Sequence, residues 1–296
     1  VERLVLIDNY RQNEAISIME RMSVARLGSK QHFIRTLESQ GLLDRQIEFL
    51  PSDAEFAERK SRGLGLTRPE LAILLSYSKI VLFQQLLDSD VPEDPYLSKE
   101  LRRYFPEPLR ERFAEHMERH RLKREIIATA VTNSMVNRMG ATFVLRMQED
   151  TGQSPAAVAK AFTIAREVLD ARSLWAAIEE LDGKVDGNAQ IDANLTIWSL
   201  LRSMTRWLLN HPADVQDIAA AVDRYAPAMA ELRAKIDTVT SASEHAVFER
   251  GRVRWIEQEF PAGLADQLAY LPALGAALDI ALVATESGAS VAQVAT

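Results

Sequence analysis

The sequence predicts an all-α fold, about ten to twelve helices packed as a multi-helix bundle, and three observations lead there. Twelve glycines and eleven prolines in 296 residues leave long stretches without a chain breaker, where a β-rich chain needs a turn signal every ~8–12 residues. Apolar residues recur at three- and four-residue spacing over much of the length. No stretch alternates apolar and polar residues in the manner of a half-buried strand.

The elements follow in chain order. Leu4, Val5, Ile7, Tyr10, Ala15, Ile18, Met19 and Met22 trace one amphipathic helix before Gly28. A second helix follows Ser29 and carries Phe33, Ile34 and Leu37 up to Gly41. Residues 43–50 read as a short helix closed by Pro51, and 52–62 as a charged surface helix. Thr67-Arg-Pro-Glu70 is a capping box with proline in the first turn, which opens a helix to about Asp88. That helix is apolar almost all round, so it is expected at the centre of the fold or in an interface. Lys79 within it, with Gln84 and Gln85, argues against a membrane span. Pro92, Pro95, Pro106 and Pro108 mark a hinge region that keeps Tyr96, Leu97, Leu101, Tyr104 and Phe105 for packing.

A charged helix is expected from near Leu109 and a long one over about 122–150. Ser154 caps a helix begun by Pro155 and running to about Ala171, and another covers 174–181. After the Gly183–Gly187 turn, helices are expected at about 192–210, 213–225, 228–241, 244–259, 264–271 and 273–285. Two sub-bundles are expected, 1–152 and 153–296. The stretches 151–159 and 287–295 share five of nine residues in register, each with a Gly-x-Ser element that suits a helix start. The similarity is too short to establish a solenoid. The second copy opens a helix that stops at Thr296, which predicts that the chain is part of a larger protein.

Composition excludes several classes of function. With no cysteine, disulfides, thiolate zinc sites and cysteine nucleophiles are out, and a reducing cytoplasm is permitted. A net charge of −7 disfavours general binding to nucleic acid or an anionic membrane. The opening VERLVLIDNY lacks the unbroken apolar core of a signal peptide.

Gly63-Leu-Gly-Leu-Thr-Arg-Pro-Glu-Leu-Ala72, continued by Ser76-Tyr-Ser-Lys79, resembles a stretch in the large bacterial NAD-dependent glutamate dehydrogenases, downstream of their catalytic region. Arg124-Glu-Ile-Ile-Ala-Thr129, Asn133, Val136-Asn-Arg138 and Gly140 are similar too, as are Asp8-Asn-Tyr10 and Gln148-Glu-Asp-Thr-Gly152. The resemblance implies the helical C-terminal region of an enzyme that oxidises glutamate to 2-oxoglutarate and ammonia with NAD. It implies, further, a catalytic domain in the same parent chain as partner, a homo-oligomer, a cytoplasmic location, and no nucleic-acid or membrane partner. The family's catalytic and dinucleotide-binding motifs have no counterpart here, so no catalytic, cofactor or metal residue is carried over. NAD is expected in the parent enzyme and not in this segment.

Each remaining constellation has a plain structural reading beside its functional one. Gly63-Leu-Gly-Leu-Thr-Arg68 begins like a dinucleotide fingerprint, but Arg68 replaces the third glycine and no strand precedes it; a loop into a capped helix fits better. His116 and His120 have half the spacing of a zinc site without a correctly placed glutamate, which suits a solvated helix face. Residues 102–124 hold eight Lys or Arg against four Glu, interleaved as surface ion pairs would be. Lys79 in its apolar helix must reach the surface or an acid, and a catalytic amine there lacks a pocket signature.

Thr129, Asn133 and Asn137 draw a polar line along an otherwise apolar helix, with Arg138 beside it. Buried amides need partners, supplied from a neighbouring helix or from the parent's other domains. Two further classes of function fit the sequence less well. An all-α enzyme of the isoprenoid-synthase type needs facing aspartate-rich motifs, and Asp88 and Asp90 stand without a counterpart. A stand-alone all-α adaptor would need no parent chain.

Overall fold

The computed structural model describes residues 2–295, with side chains from Val5 onward. The Leu4 side chain and Thr296 lie outside the described residues. Every regular element among those described is helical. The chain's own contacts divide it into two compact units, one up to Ala159 and one from Lys160.

The first unit contains α1 (Glu2–Arg21), α2 (Leu27–Ser39), α3 (Asp53–Ser61), α4 (Arg68–Leu87), α5 (Ser98–Tyr104), the short α6 (Glu107–Arg110) and α7 (Ala114–Glu118), α8 (Lys123–Met139) and α9 (Phe143–Thr151). Its centre is α8, which packs on α1, α4, α5 and the single 3₁₀ turn Val91–Glu93. The apolar residues of α8 point inward: Ile127, Ala128, Val131, Met135, Val136 and Met139 are all buried. Helix α4 buries Leu71, Leu74, Leu75, Leu82 and Leu86. It is long and apolar enough to cross a membrane by length and composition, as is Ala262–Ser287; its buried face here packs on α1 and α8.

Helix α4 starts where the capping box places it. The Glu70 carboxylate accepts the Thr67 amide at 2.7 Å and takes a bidentate pair from Arg59 of α3, at 2.7 and 2.8 Å. Burial opposes ionisation of Glu70, but the Arg59 and Thr67 hydrogen bonds outweigh it and hold the carboxyl below its ordinary range. The loop before it presses on the turn after α1: a Cβ on Gly65 would stand 2.3 Å from Ser23 Oγ, the same oxygen that accepts the Leu66 amide at 2.7 Å.

The second unit holds α11 (Ala171–Glu179), α12 (Gly187–Leu209), α13 (Pro212–Val215), α14 (Ile218–Val239), α15 (Ala242–Glu257), α16 (Ala262–Tyr270), a 3₁₀ helix (Leu271–Ala276), α17 (Ala277–Ser287) and α18 (Val291–Ala295). Helix α10 (Pro155–Val168) contains the dividing point. Gly251 of α15 sits on Ala269 of α16, with 3.4 Å left for a Cβ, which is why these two helices pack closely. Tyr225, fully buried, donates to Asp214 at 2.7 Å and so ties α14 to α13.

Four elements differ from the sequence reading. Residues 44–49 form turns rather than a helix; Asp44 Oδ1 accepts the amides of Gln46 and Ile47, and Phe49 takes a left-handed φ of 53°. The charged helix near Leu109 is two short pieces, α6 and α7. The helix expected over 122–150 breaks into α8 and α9 at Gly140, whose φ of 82° ends the first segment. The helices expected at 213–225 and 228–241 are instead the short α13 and one long helix, α14, with Pro227 inside it. Proline removes one helical hydrogen bond, but Pro227 lies on the exposed face of the helix. Buried Tyr225, Met229, Leu232 and Ile236 hold the other face continuous.

The two similar stretches at 151–159 and 287–295 share capping chemistry. In each, a left-handed glycine, Gly152 or Gly288, ends a helix. Ser154 or Ser290 then accepts the amide three residues on, from Ala157 or Gln293.

Candidate functional site

The polar residues singled out in the sequence lie mainly on α8, and hydrogen bonds tie this helix down near both ends. Near its start, Arg124 donates to the Leu87 carbonyl at the end of α4, at 2.6 Å, and pairs with Glu93. At its end, Arg138 donates to Glu14 of α1 at 2.6 Å, with side chains only 6% and 11% exposed. An ion pair this buried is strongly geometric: each charge is tolerated because the other is held against it.

Between these anchors runs the line of Thr129, Asn133 and Asn137. Thr129 and Asn133 are half-buried, and neither side chain bonds to another described residue. Asn137 is buried, and its Oδ1 has no hydrogen-bond partner; the Thr132 hydroxyl on the same helix is buried without one as well. Buried polar atoms are normally satisfied, so the described residues leave this line short of partners. Of the five residues singled out, only Arg138 meets a charged partner at bonding distance. Glu14 carries no local signal of that role, being 124 positions away.

Lys79 does not join this group. It is half-buried on α4 without a hydrogen bond or ion pair to a described residue. Burial draws its pKa below the usual lysine range, and Asp8 on α1 works in the opposite direction. Lys30, which sequence reasoning passed over, is the more perturbed amine. It is buried, donates to the Met19 carbonyl at the end of α1 at 3.0 Å, and is lowered to about 8 by burial and by the nearby Arg26 charge.

The other candidates resolve into local contacts. The His120 ring nitrogen Nδ1 accepts the Leu122 amide, and His116 packs edge-on to Phe113. Among the described residues, no group of three or more His, Cys, Asp or Glu is arranged to hold a metal. In the basic stretch, Glu118 pairs with Lys123 at 2.7 Å and Arg102 at 3.6 Å, and Arg103 pairs with Glu100. The glycines at 63 and 65 follow a helix, α3, and not a strand. The Glu70 carboxylate already occupies the start of α4, so these residues do not fit a dinucleotide phosphate, which needs free amides at a helix N-terminus.

Residues 63–296 match the family described as "Glutamate dehydrogenase, C-terminal". A protein named NAD-specific glutamate dehydrogenase from Halomonas elongata is 39% identical over 287 residues, which is 97% of this chain and 18% of the relative. One of the same name from Pseudomonas aeruginosa is 39% identical over 295 residues, 100% of this chain and 18% of the relative. A third, from Mycobacterium tuberculosis, is 29% identical over 265 residues, 90% of this chain and 16% of the relative. The chain thus spans less than a fifth of the length of these relatives.

Proposed function

The chain belongs to the glutamate dehydrogenase C-terminal family, and from that membership we propose that it is a helical, non-catalytic segment of a large NAD-dependent glutamate dehydrogenase. The parent reaction is the conversion of L-glutamate, NAD and water to 2-oxoglutarate, ammonia and NADH, in the cytoplasm; a chain without cysteine suits a reducing compartment. The segment contributes packing, assembly or regulation to an oligomeric enzyme, and takes no nucleic acid or membrane as partner. The observation that carries this reading is full-length similarity to NAD-specific enzymes more than five times as long. Catalytic and NAD-binding residues belong on this reading to the rest of the parent chain.

Half-buried Thr129 and Asn133 are the part of the polar line open to an interdomain contact, while buried Asn137 Oδ1 and Thr132 Oγ1, unpartnered among the described residues, gain donors from ordered water. Lys79 and Arg138 serve as structural cations of the α1–α4–α8 group. The test compares the parent enzyme with and without this segment for solution mass and for NAD-linked glutamate oxidation. Loss of the oligomer together with activity makes the segment an assembly element, and altered kinetics on an intact oligomer make it a regulator. No change in either refutes the reading.

A further inference from the structure

One face of helix α4 is buried, and the opposite side is partly open. Leu71, Leu74, Leu75, Leu82 and Leu86 are buried, whereas half-buried Ile73, Tyr77 and Leu87 and exposed Ile80 form a stripe on the opposite side, interrupted by exposed Gln84. Ile80 on that stripe is 62% exposed. The 44–49 turn lies beside it, because Tyr77 donates to Glu48 at 2.6 Å. The turn presents Ile47, 71% exposed, and Phe49, 89% exposed.

This turn is held rigidly for a loop. Arg45 donates to Glu38 at 2.6 Å, to Asp53 at 3.0 Å and to the Pro51 carbonyl at 3.1 Å. The Leu50 amide closes onto the Arg45 carbonyl at 3.0 Å. Phe49 adopts its left-handed φ of 53° within this frame, a conformation that disfavours bulky side chains. An aromatic side chain held in an unfavourable backbone state and left in water gains nothing within the first unit. An exposed aromatic side chain on a backbone already fixed by hydrogen bonds binds a partner with little backbone ordering left to lose.

We infer that the stripe Ile73, Tyr77, Ile80 and Leu87, with Ile47 and Phe49 beside it, is the surface on which the preceding portion of the parent polypeptide docks. The inference rests on the proposed function. The occupant follows from the length outside this chain, more than four-fifths of each relative, and from chain direction. Helix α1 runs antiparallel to α4: Arg68 reaches Ser17 and Glu20, while Lys79 faces Asp8. The start of α1, where Val5 and Leu6 are exposed, therefore lies toward the C-terminal end of α4.

The test uses the full-length parent enzyme carrying Phe49→Cys, Ile80→Cys or, as the control on exposed α3, Lys60→Cys, with maleimide labelling read at each peptide by mass spectrometry. Positions 49 and 80 should label at least tenfold more slowly than position 60 in the native enzyme, and all three at similar rates in guanidinium. Hydroxyl-radical footprinting of Phe49 in the wild-type enzyme gives the same readout without substitution. Labelling at 49 as fast as at 60 overturns the inference, even where deletion of the segment changes mass or activity and the proposed function stands. Protection that vanishes on dilution to single subunits assigns the surface to a second copy, and protection seen only with phospholipid vesicles assigns it to a membrane; either overturns the stated occupant.

Discussion

Glu14 and Arg138, 124 positions apart, meet at 2.6 Å with both side chains almost wholly out of water. This contact fixes the last turn of α8 against α1. Removing one member takes a buried counter-charge from the other, which costs about 3–5 kcal/mol in such pairs, whereas replacing both with apolar groups is often close to neutral. Arg138→Met and Glu14→Leu should therefore each destabilise the first unit by about 3 kcal/mol in urea unfolding, with the double variant recovering most of the loss. Additive losses would show that the two residues act separately.

Lys30 gives the first unit a pH dependence. The unfolded chain keeps the ammonium proton up to about 10.5, while the folded chain releases it near 8. Between these values the unfolded state binds more protons, so stability rises with pH across that window. Unfolding midpoints of the wild type should rise relative to Lys30→Met between pH 8 and pH 10, and the two should run parallel below pH 7. Parallel curves throughout would mean that Lys30 titrates as an ordinary lysine.

Glu70 works with the opposite sign of charge. Its carboxyl is held below the ordinary 4.5, so its contribution is fully present above that value and is lost as the pH falls through the folded value. Glu70→Gln should flatten the acid side of the stability profile, below about pH 4.5, and lower stability at pH 7 by about 1–2 kcal/mol through loss of the Arg59 pair. An unchanged acid limb would remove Glu70 from the account of how α4 is anchored.

Two backbone positions should respond in contrasting ways. Gly65→Ala places a Cβ 2.3 Å from Ser23 Oγ and should cost about 2 kcal/mol. Phe49→Gly relieves a left-handed φ at an exposed site and should stabilise the isolated chain by about 0.5–1 kcal/mol, while Phe49→Val should destabilise it. Thermal melting of the three variants checks both, and a destabilised Phe49→Gly would mean that the ring already packs within the chain.

How far the sequence led depended on whether a signal was local. The start of α4 was legible because Thr67, Pro69 and Glu70 state it within four residues. Its dual apolar character was legible too, though not which face is covered, since that depends on α1 and α8. The break expected between 225 and 228 is absent because a breaker's cost is local while its compensation, burial of Tyr225 and Met229, is tertiary. Gly140 was legible as a helix stop only in hindsight of its φ, because apolar periodicity continues past it into α9. In the candidate site, Arg138 stood out, but Glu14 did not, since nothing near Glu14 specifies a partner on another helix. The Phe49 turn went unread because its strain and exposure exist only once Arg45, Asp53 and Tyr77 have come together.

On the proposed function this segment completes a larger glutamate-oxidising enzyme without supplying its chemistry, and the most direct measurement is paired solution mass and NAD-linked glutamate oxidation of the parent with and without residues 1–296. The shortened enzyme should show a smaller assembly, an altered rate, or both, and the segment should show no saturable NAD binding in calorimetry. An unchanged assembly turning over glutamate at the unchanged rate would contradict the proposed function, as would a segment that binds NAD by itself.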